Sequence, residues 1–232
     1  MEENEHAHGM SKTARAAALL VVTAVLVGLV AVYVAAFLRA RPHLVAASAI
    51  GKGATRHATL TLQTVAALGS GSQPDWVSYL VKDQSGAWQH STIFQLPAHA
   101  VIRVRIYQFD GQSGLRNPFW ARPRGIVGNS LTLDGKAVTV INPDTASHTF
   151  AVPDLGISVP LAGVPDNAKN PCDSPAPCPM SADHRTITFT FHTGAPGMYR
   201  WQCFVPCAAG LYFGIGGPMQ TLGFMDGYLD VV

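Results

Sequence analysis

The chain has 232 residues, enough for one domain of ordinary size together with a membrane segment and a linker. Sixteen Lys and Arg against 14 Asp and Glu leave a formal net charge of +2, so no strong basic field argues for a nucleic-acid partner. Gly-x-Ser-x-Gly, a phosphate-binding Gly-rich loop and His-Glu-x-x-His are all missing from the sequence, so neither a hydrolase nor a nucleotide-binding reading has a motif behind it and no small-molecule substrate is evident.

Residues 1–15 are polar and read as a cytoplasmic tail, with His6 and His8 solvated. From Ala16 to Leu38 there are 23 residues without a charge. At about 1.5 Å of rise per residue they span a hydrocarbon core of roughly 30 Å with some tilt. No small-x-small cleavage pattern precedes Arg39 and Arg41, so residues 16–38 are read as an uncleaved transmembrane anchor, with a cleaved signal peptide as the alternative. Lys12 and Arg15 precede this run, whereas Arg39, Arg41 and Lys52 follow it, so the positive-inside count leans against an external domain. The domain is still placed on the extracytoplasmic side of the cell membrane, because the N-terminal arm is short and the chemistry downstream suits an external compartment. Residues 39–74, rich in Ala, Gly, Ser and Thr, read as a linker with room for a strand at Thr59–Val65.

Residues 75–232 read as a single β-domain. Trp76–Val81 and Trp88–Phe94 are predicted strands around the polar turn Lys82–Gly86. Val101, Val104 and Ile106 mark a third strand, with Arg103 and Arg105 alternating against them, which implies one buried and one wet face. Asp134-Gly135 between two β-branched runs is a hairpin signal. Thr186–Phe191 alternates again, and Tyr199–Cys203 and Tyr228–Val232 close the series. Short strands at regular spacing, with no amphipathic helix of useful length after residue 38, predict an all-β sandwich.

Two segments carry the chemistry. The first is Asn142–Val159, with His148 followed by Thr-Phe-Ala-Val-Pro153-Asp-Leu-Gly-Ile157. The second runs from Phe191 through Pro196-Gly197-Met-Tyr199 to Cys203-Phe-Val-Pro-Cys207, and Met225-Asp-Gly-Tyr-Leu-Asp-Val follows. Imidazole suits copper and zinc, thiolate favours copper(I), zinc or iron–sulfur, and a thioether adds a weak ligand typical of copper sites. Cysteines four apart are able to face one ion, two ions, or each other as a disulfide. Each residue alone has a plainer reading: a hydrogen-bonded His, a core Met. Cys172 and Cys178 lie in a Pro-crowded loop, where a local disulfide is the default and a copper-handling mouth with Met180 is the sharper alternative.

These segments resemble the periplasmic domain of cytochrome c oxidase subunit II and its cupredoxin relatives. His148-Thr-Phe-Ala-Val-Pro-Asp-Leu-Gly-Ile157 is similar to that family's His-Ser-Phe-x-Val-Pro-x-Leu-Gly-Ile, and Pro196-Gly197-x-Tyr199-x-x-x-Cys203-x-x-x-Cys207 to its strand leading into the paired cysteines. Met225-x-Gly-x-Leu-x-Val is similar to its last strand. The resemblance covers residues 130–232 well and residues 75–130 only as a β pattern. It implies a cupredoxin-like Greek-key sandwich behind the N-terminal transmembrane helix. It also implies copper held by His148, Cys203, Cys207 and Met225, with the Val205 carbonyl as a further ligand. Respiratory electron transfer would then run with a cytochrome c or terminal oxidase subunits as partners. In the family two coppers share the two thiolates in a CuA centre.

Two positions depart from the pattern. The family's second histidine follows the second cysteine by four residues, where this chain has Leu211, and the methionine three further on meets Gly214. Aligning on Met225 instead puts Leu222 in the histidine's place. Three readings follow: a mononuclear soft copper site in which Met219 fills the gap, recruitment of His184 or His192, or a degenerate site closed by a Cys203–Cys207 disulfide. Three functions are carried: electron transfer, copper(I) delivery for oxidase assembly, which soft ligands without a second imidazole favour, and a metal-free accessory subunit.

Overall fold

The strand signals in the sequence organise two mixed sheets in the computed structural model, which describes residues 11–35, 43–50, 56–66, 76–172, 176–207 and 217–232. The chain divides into two compact units, Met1–Arg41 and Pro42–Val232.

The first unit holds helix α1 (Lys12–Tyr33), capped by the Ser11 side chain, which accepts from the Ala14 amide at 3.2 Å. Leu, Val and Ala surround its axis and all are exposed, so it has no polar face to give to water. It is long and apolar enough to cross a membrane. The helix begins four residues before the predicted Ala16, and the predicted end, Leu38, lies outside the described residues.

In the second unit, one sheet takes the order β1 (Leu44–Ala46), β6 (Ile93–Leu96), β14 (Asp226–Val231), β13 (Gly197–Gln202), β10 (Ala146–Val152), β11 (Ile157–Ala162). The other takes β5 (Trp88–Gln89), β4 (Ser78–Lys82), β3 (Arg56–Val65), β7 (Ala100–Gln108), β12 (Arg185–His192), β8 (Leu131–Leu133), β9 (Lys136–Val138), with β2 (Ser48–Ile50) paired to β3. The chain crosses between sheets after β1, β5, β6, β9, β11 and β12, giving the predicted sandwich.

Period-two patterning sets the faces. In β7, Ala100, Ile102, Val104 and Ile106 are buried while Val101, Arg103 and Arg105 face outward, so Val101 shares the arginine face rather than the core. β12 buries Ile187, Phe189 and Phe191 between threonines. Asp134 and Gly135, at φ 49° and 82°, make the two-residue turn joining β8 and β9, as the hairpin signal predicts.

The stretch expected as a linker, residues 39–74, contains β1, β2 and β3. β3 is interior: it pairs parallel with β7 and antiparallel with β4, and it buries Ala58, Leu60 and Leu62. It contains the strand expected at Thr59–Val65, whose alternating threonines suit a pleated surface, but that strand belongs to the sandwich and not to a linker. The predicted strand Trp88–Phe94 is two strands, because the chain bends at Gln89–Thr92 and passes from one sheet to the other.

Between the sheets, Trp201 lies stacked against Phe94 and Phe150, each ring centroid 5.6 Å away, with Tyr79 edge-on at 4.9 Å. The Trp201 indole donates to the Thr92 carbonyl at 3.0 Å, so its one polar atom is satisfied inside the core. Cys172 and Cys178 form the local disulfide. Gln63, wholly buried on β3, clamps that loop with its amide, donating to the Cys178 carbonyl at 3.1 Å and accepting from the Cys178 amide at 2.8 Å. With both sulfurs joined, the alternative of a thiol mouth with Met180 is set aside.

Candidate metal centre

β10 and β13 are neighbours, and their pairing carries His148 to within reach of the two cysteines. His148 sits where the register of β10 against β11 shifts, and its side chain is only 2% exposed. Thr149, next along β10, ties the end of β13 in place. Its hydroxyl accepts from the Phe204 amide at 2.8 Å and its own amide donates to Cys203 Sγ at 3.4 Å. From the other side, the Cys203 amide donates to the Met225 carbonyl at 2.9 Å.

The ligand-type atoms converge. His148 Nδ1 lies 3.1 Å from Cys207 Sγ and 3.8 Å from Cys203 Sγ, and the sulfurs are 3.1 Å apart. A disulfide would hold the sulfurs at about 2.05 Å, so the pair is a dithiol here and not the predicted alternative of a closed bridge. The Val205 carbonyl oxygen lies 2.9 Å from Cys207 Sγ and 3.4 Å from Cys203 Sγ, inside the same cluster. Cys203 is fully buried and Cys207 partly exposed. Among the described residues, His148, Cys203 and Cys207 are the one group of His, Cys or acidic side chains whose donor atoms gather this closely.

Met225 is fully buried beside Cys203, to which its carbonyl is bonded. Met219 is half-buried against the same core, and its carbonyl accepts from the Gln202 amide. His184 and His192 are not in the cluster. His184 Nδ1 is bonded to the Ala182 carbonyl and its ring packs on Phe109 at 5.0 Å, whereas His192 is exposed at the end of β12. Leu211, Gly214, His6 and His8 lie outside the described residues; Leu222 is described and pairs with Asp226.

Sequence reasoning missed Asp110. Its carboxylate lies 2.8 Å from His148 Nε2, on the side of the ring away from the sulfurs. This fixes the imidazole's orientation and leaves Nδ1 facing the cysteines. Asp110 follows β7, is held there by bonds from the Gly111 amide to its carboxylate and from the Val164 amide to its carbonyl, and stands 38 residues before His148. No local motif marks it.

The site is charge-separated. Burial pushes the His148 pKa down, but the bonds to Asp110 and Cys203 outweigh it and hold the imidazole protonated up to about 9. Burial likewise opposes ionisation of Cys203, yet the S–H of Cys207, the His148 imidazolium and the Thr149 amide together bring its pKa well below the ordinary thiol range. Cys207 moves the other way, pushed up by its bond to Cys203, by burial and by the negative charge of Cys203 and Asp110. Burial opposes the Asp110 carboxylate too, but the bond from His148 keeps it below the usual range.

This donor set fits copper: one imidazole with its second nitrogen anchored, two sulfurs of opposite protonation, and a carbonyl, all within a protein interior. Replacing Asp110 tests the anchoring. Asp110→Asn, which still accepts from Nε2, is expected to keep most of the copper(I) affinity. Asp110→Ala should lower it about 10–100-fold in a competition titration against a chelator. Equal affinities in both variants and the parent would show that the carboxylate does not position His148.

No protein-family model matches the sequence, and no curated protein matches it. Among solved structures, a rusticyanin described as a copper protein is 15% identical, with 80% of this chain and 88% of that chain covered and a TM-score of 0.33. Rusticyanin from Thiobacillus ferrooxidans is 14% identical over 80% and 87%, with a TM-score of 0.27. Auracyanin B is 17% identical over 81% and 96%, with a TM-score of 0.26. Scores this low carry no argument about the site, which stands on its own geometry.

Proposed function

We propose that Pro42–Val232 is a cupredoxin-like copper domain that takes part in single-electron transfer, held at the extracytoplasmic face of the cell membrane by α1. The observation that carries this reading is the convergence of His148 Nδ1, both sulfurs and the Val205 carbonyl in one buried cluster, with Nε2 anchored on Asp110. His148, Cys203 and Cys207 would hold copper, with Met225 as a buried neighbour able to add a thioether. When bound, copper supplies a one-electron couple. The protein's residues exclude water, hold the imidazole in one orientation and keep one sulfur ionised before metal arrives. The resemblance to oxidase subunit II makes a cytochrome c or terminal oxidase subunits the proposed partners.

The test uses the full chain in lipid nanodiscs, loaded with copper(I) without oxygen and then oxidised. Retained copper, thiolate-to-copper absorption and an electron-paramagnetic-resonance signal that cycles reversibly are expected. Absence of thiolate-to-copper absorption in copper-loaded protein would sink the redox role. Hyperfine coupling to two copper nuclei would mark a CuA-like centre, and coupling to one a mononuclear site.

A second reading, copper(I) delivery, is favoured by one observation: the described cluster offers two sulfurs but a single imidazole, a set that prefers the reduced ion. Tight copper(I) binding without reversible cycling would select it. No copper uptake at all would leave an accessory subunit.

Copper uptake should depend on pH in a stated direction. Nδ1 becomes a ligand only after its proton leaves, and that proton is held up to about 9. Affinity therefore rises with pH, about tenfold per unit for each proton displaced. Above about 9 it flattens if Cys203 is the sole thiolate ligand. It keeps rising more gently if Cys207, whose thiol is harder to ionise, also ligates. Competition titrations between pH 6 and pH 10 distinguish these outcomes, and a flat profile would contradict the protonated site.

A further inference from the structure

Residues 117–126 do something the copper reading does not use. They leave the sandwich and return to pair with β11, Arg124 and Ser158 exchanging both backbone hydrogen bonds at 2.9 and 3.1 Å. The approach is close. A Cβ on Gly125 would come within 2.3 Å of the Gly156 carbonyl, and Gly125 has φ +69°, so only glycine fits. Pinned there, the segment stands as a wall over the outer side of β10 and β11.

Between that wall and the Cys203 loop lies a cleft of about 510 Å³. Phe119, Trp120, Phe204, Ala151, Pro153 and Ile157 line it. Phe119 and Phe204 are 49% and 42% exposed, unusual for rings that have a core available. The volume and the apolar lining suit a small organic ligand. One cation stands in the cleft. Arg124 lies 4.3 Å over the Phe119 ring, and its Nη1 donates to the Phe119 carbonyl at 2.8 Å. Among the described residues no carboxylate pairs with it, and its Nε and Nη2 donate to no protein atom. A guanidinium braced on an aromatic ring, with free N–H groups beside an apolar cleft, is built for a planar anion.

We propose that this cleft binds a small aromatic carboxylate: the ring between Phe119 and Phe204, the carboxylate on Arg124. The site goes beyond the copper reading and does not depend on it. It does adjoin the metal cluster, because Phe204 follows Cys203 in the chain and its amide is held by Thr149, whose own amide reaches the Cys203 sulfur.

The test titrates metal-free full-length protein in nanodiscs with 2-naphthoate and with neutral 2-naphthylmethanol, reading binding by calorimetry and Trp fluorescence against empty nanodiscs. Saturable binding of naphthoate is expected, at least about tenfold tighter than the alcohol. Arg124→Gln should remove that preference and leave the alcohol unchanged, and Phe119→Ala should weaken both ligands. Equal binding of acid and alcohol, or naphthoate binding that Arg124→Gln does not weaken, would overturn the proposal. So would a signal no larger than that of empty nanodiscs. Because the protein is metal-free, failure of copper loading leaves this result standing, and failure here leaves the copper reading intact.

Discussion

Cys203→Ser is expected to lower copper retention sharply, and with it the thiolate-to-copper absorption. Cys203 is the fully buried sulfur, and it is the one already ionised. It accepts from the Thr149 amide and stands 3.1 Å from Cys207 Sγ and 3.8 Å from His148 Nδ1. A serine hydroxyl in its place is harder, stays protonated and gives up the soft anion that a copper(I) site depends on. The expected loss of copper(I) affinity is about 4 kcal/mol, on the order of a thousandfold. Cys207→Ser should cost less, because Cys207 is partly exposed and reluctant to ionise. A thermal melt of each variant separates loss of metal from loss of fold. A folded Cys203→Ser protein that still holds stoichiometric copper would remove Cys203 from the ligand set.

Gly227→Ala is the substitution expected to cost most stability. Gly227 lies on β14 just before that strand begins its parallel pairing with β6. A Cβ there would fall 1.9 Å from the Thr92 carbonyl oxygen, 2.7 Å from Thr92 Cβ and 2.6 Å from the Trp201 indole nitrogen. That carbonyl is a junction: it accepts from the Tyr228 amide at 2.9 Å and from Trp201 at 3.0 Å. A methyl group cannot enter without separating two backbones or displacing the stacked indole from between Phe94 and Phe150. Overpacking of this kind, with a buried hydrogen bond broken, costs about 3–5 kcal/mol. For a domain of this size the melting temperature should drop by roughly 10 °C. Circular dichroism melts of the metal-free protein check it, and a shift of under about 2 °C would mean that the strands part more easily than their packing implies.

Much of the candidate site was legible in sequence because its parts lie in short, ordered segments. His148 with its following Thr-Phe-Ala-Val-Pro, the Cys203–Cys207 spacing and the Val205 carbonyl between them were picked out by their order in the chain, and the structure brings them into one cluster. Asp110 was not legible, since its role depends on β7 ending opposite β10, a contact across 38 residues and between two sheets. The same holds for β3. A strand at Thr59–Val65 was legible there, but within a stretch read as linker, and its interior place became visible only when β4 and β7 paired along both its edges.

What the sequence determined by itself was local and periodic: the uncharged run that forms α1, the Asp134-Gly135 turn, the alternation of β7 and β12, and the order of ligand-type residues along the chain. Those features follow from backbone propensity and from side chains two or four residues apart. Tertiary structure alone decided the partner of His148, the opposite protonation of two cysteines four residues apart, the Trp201 stack and the Arg124 cleft. Each of these depends on distances between strands remote in sequence and on the low-dielectric interior their packing creates, and no local pattern encodes either.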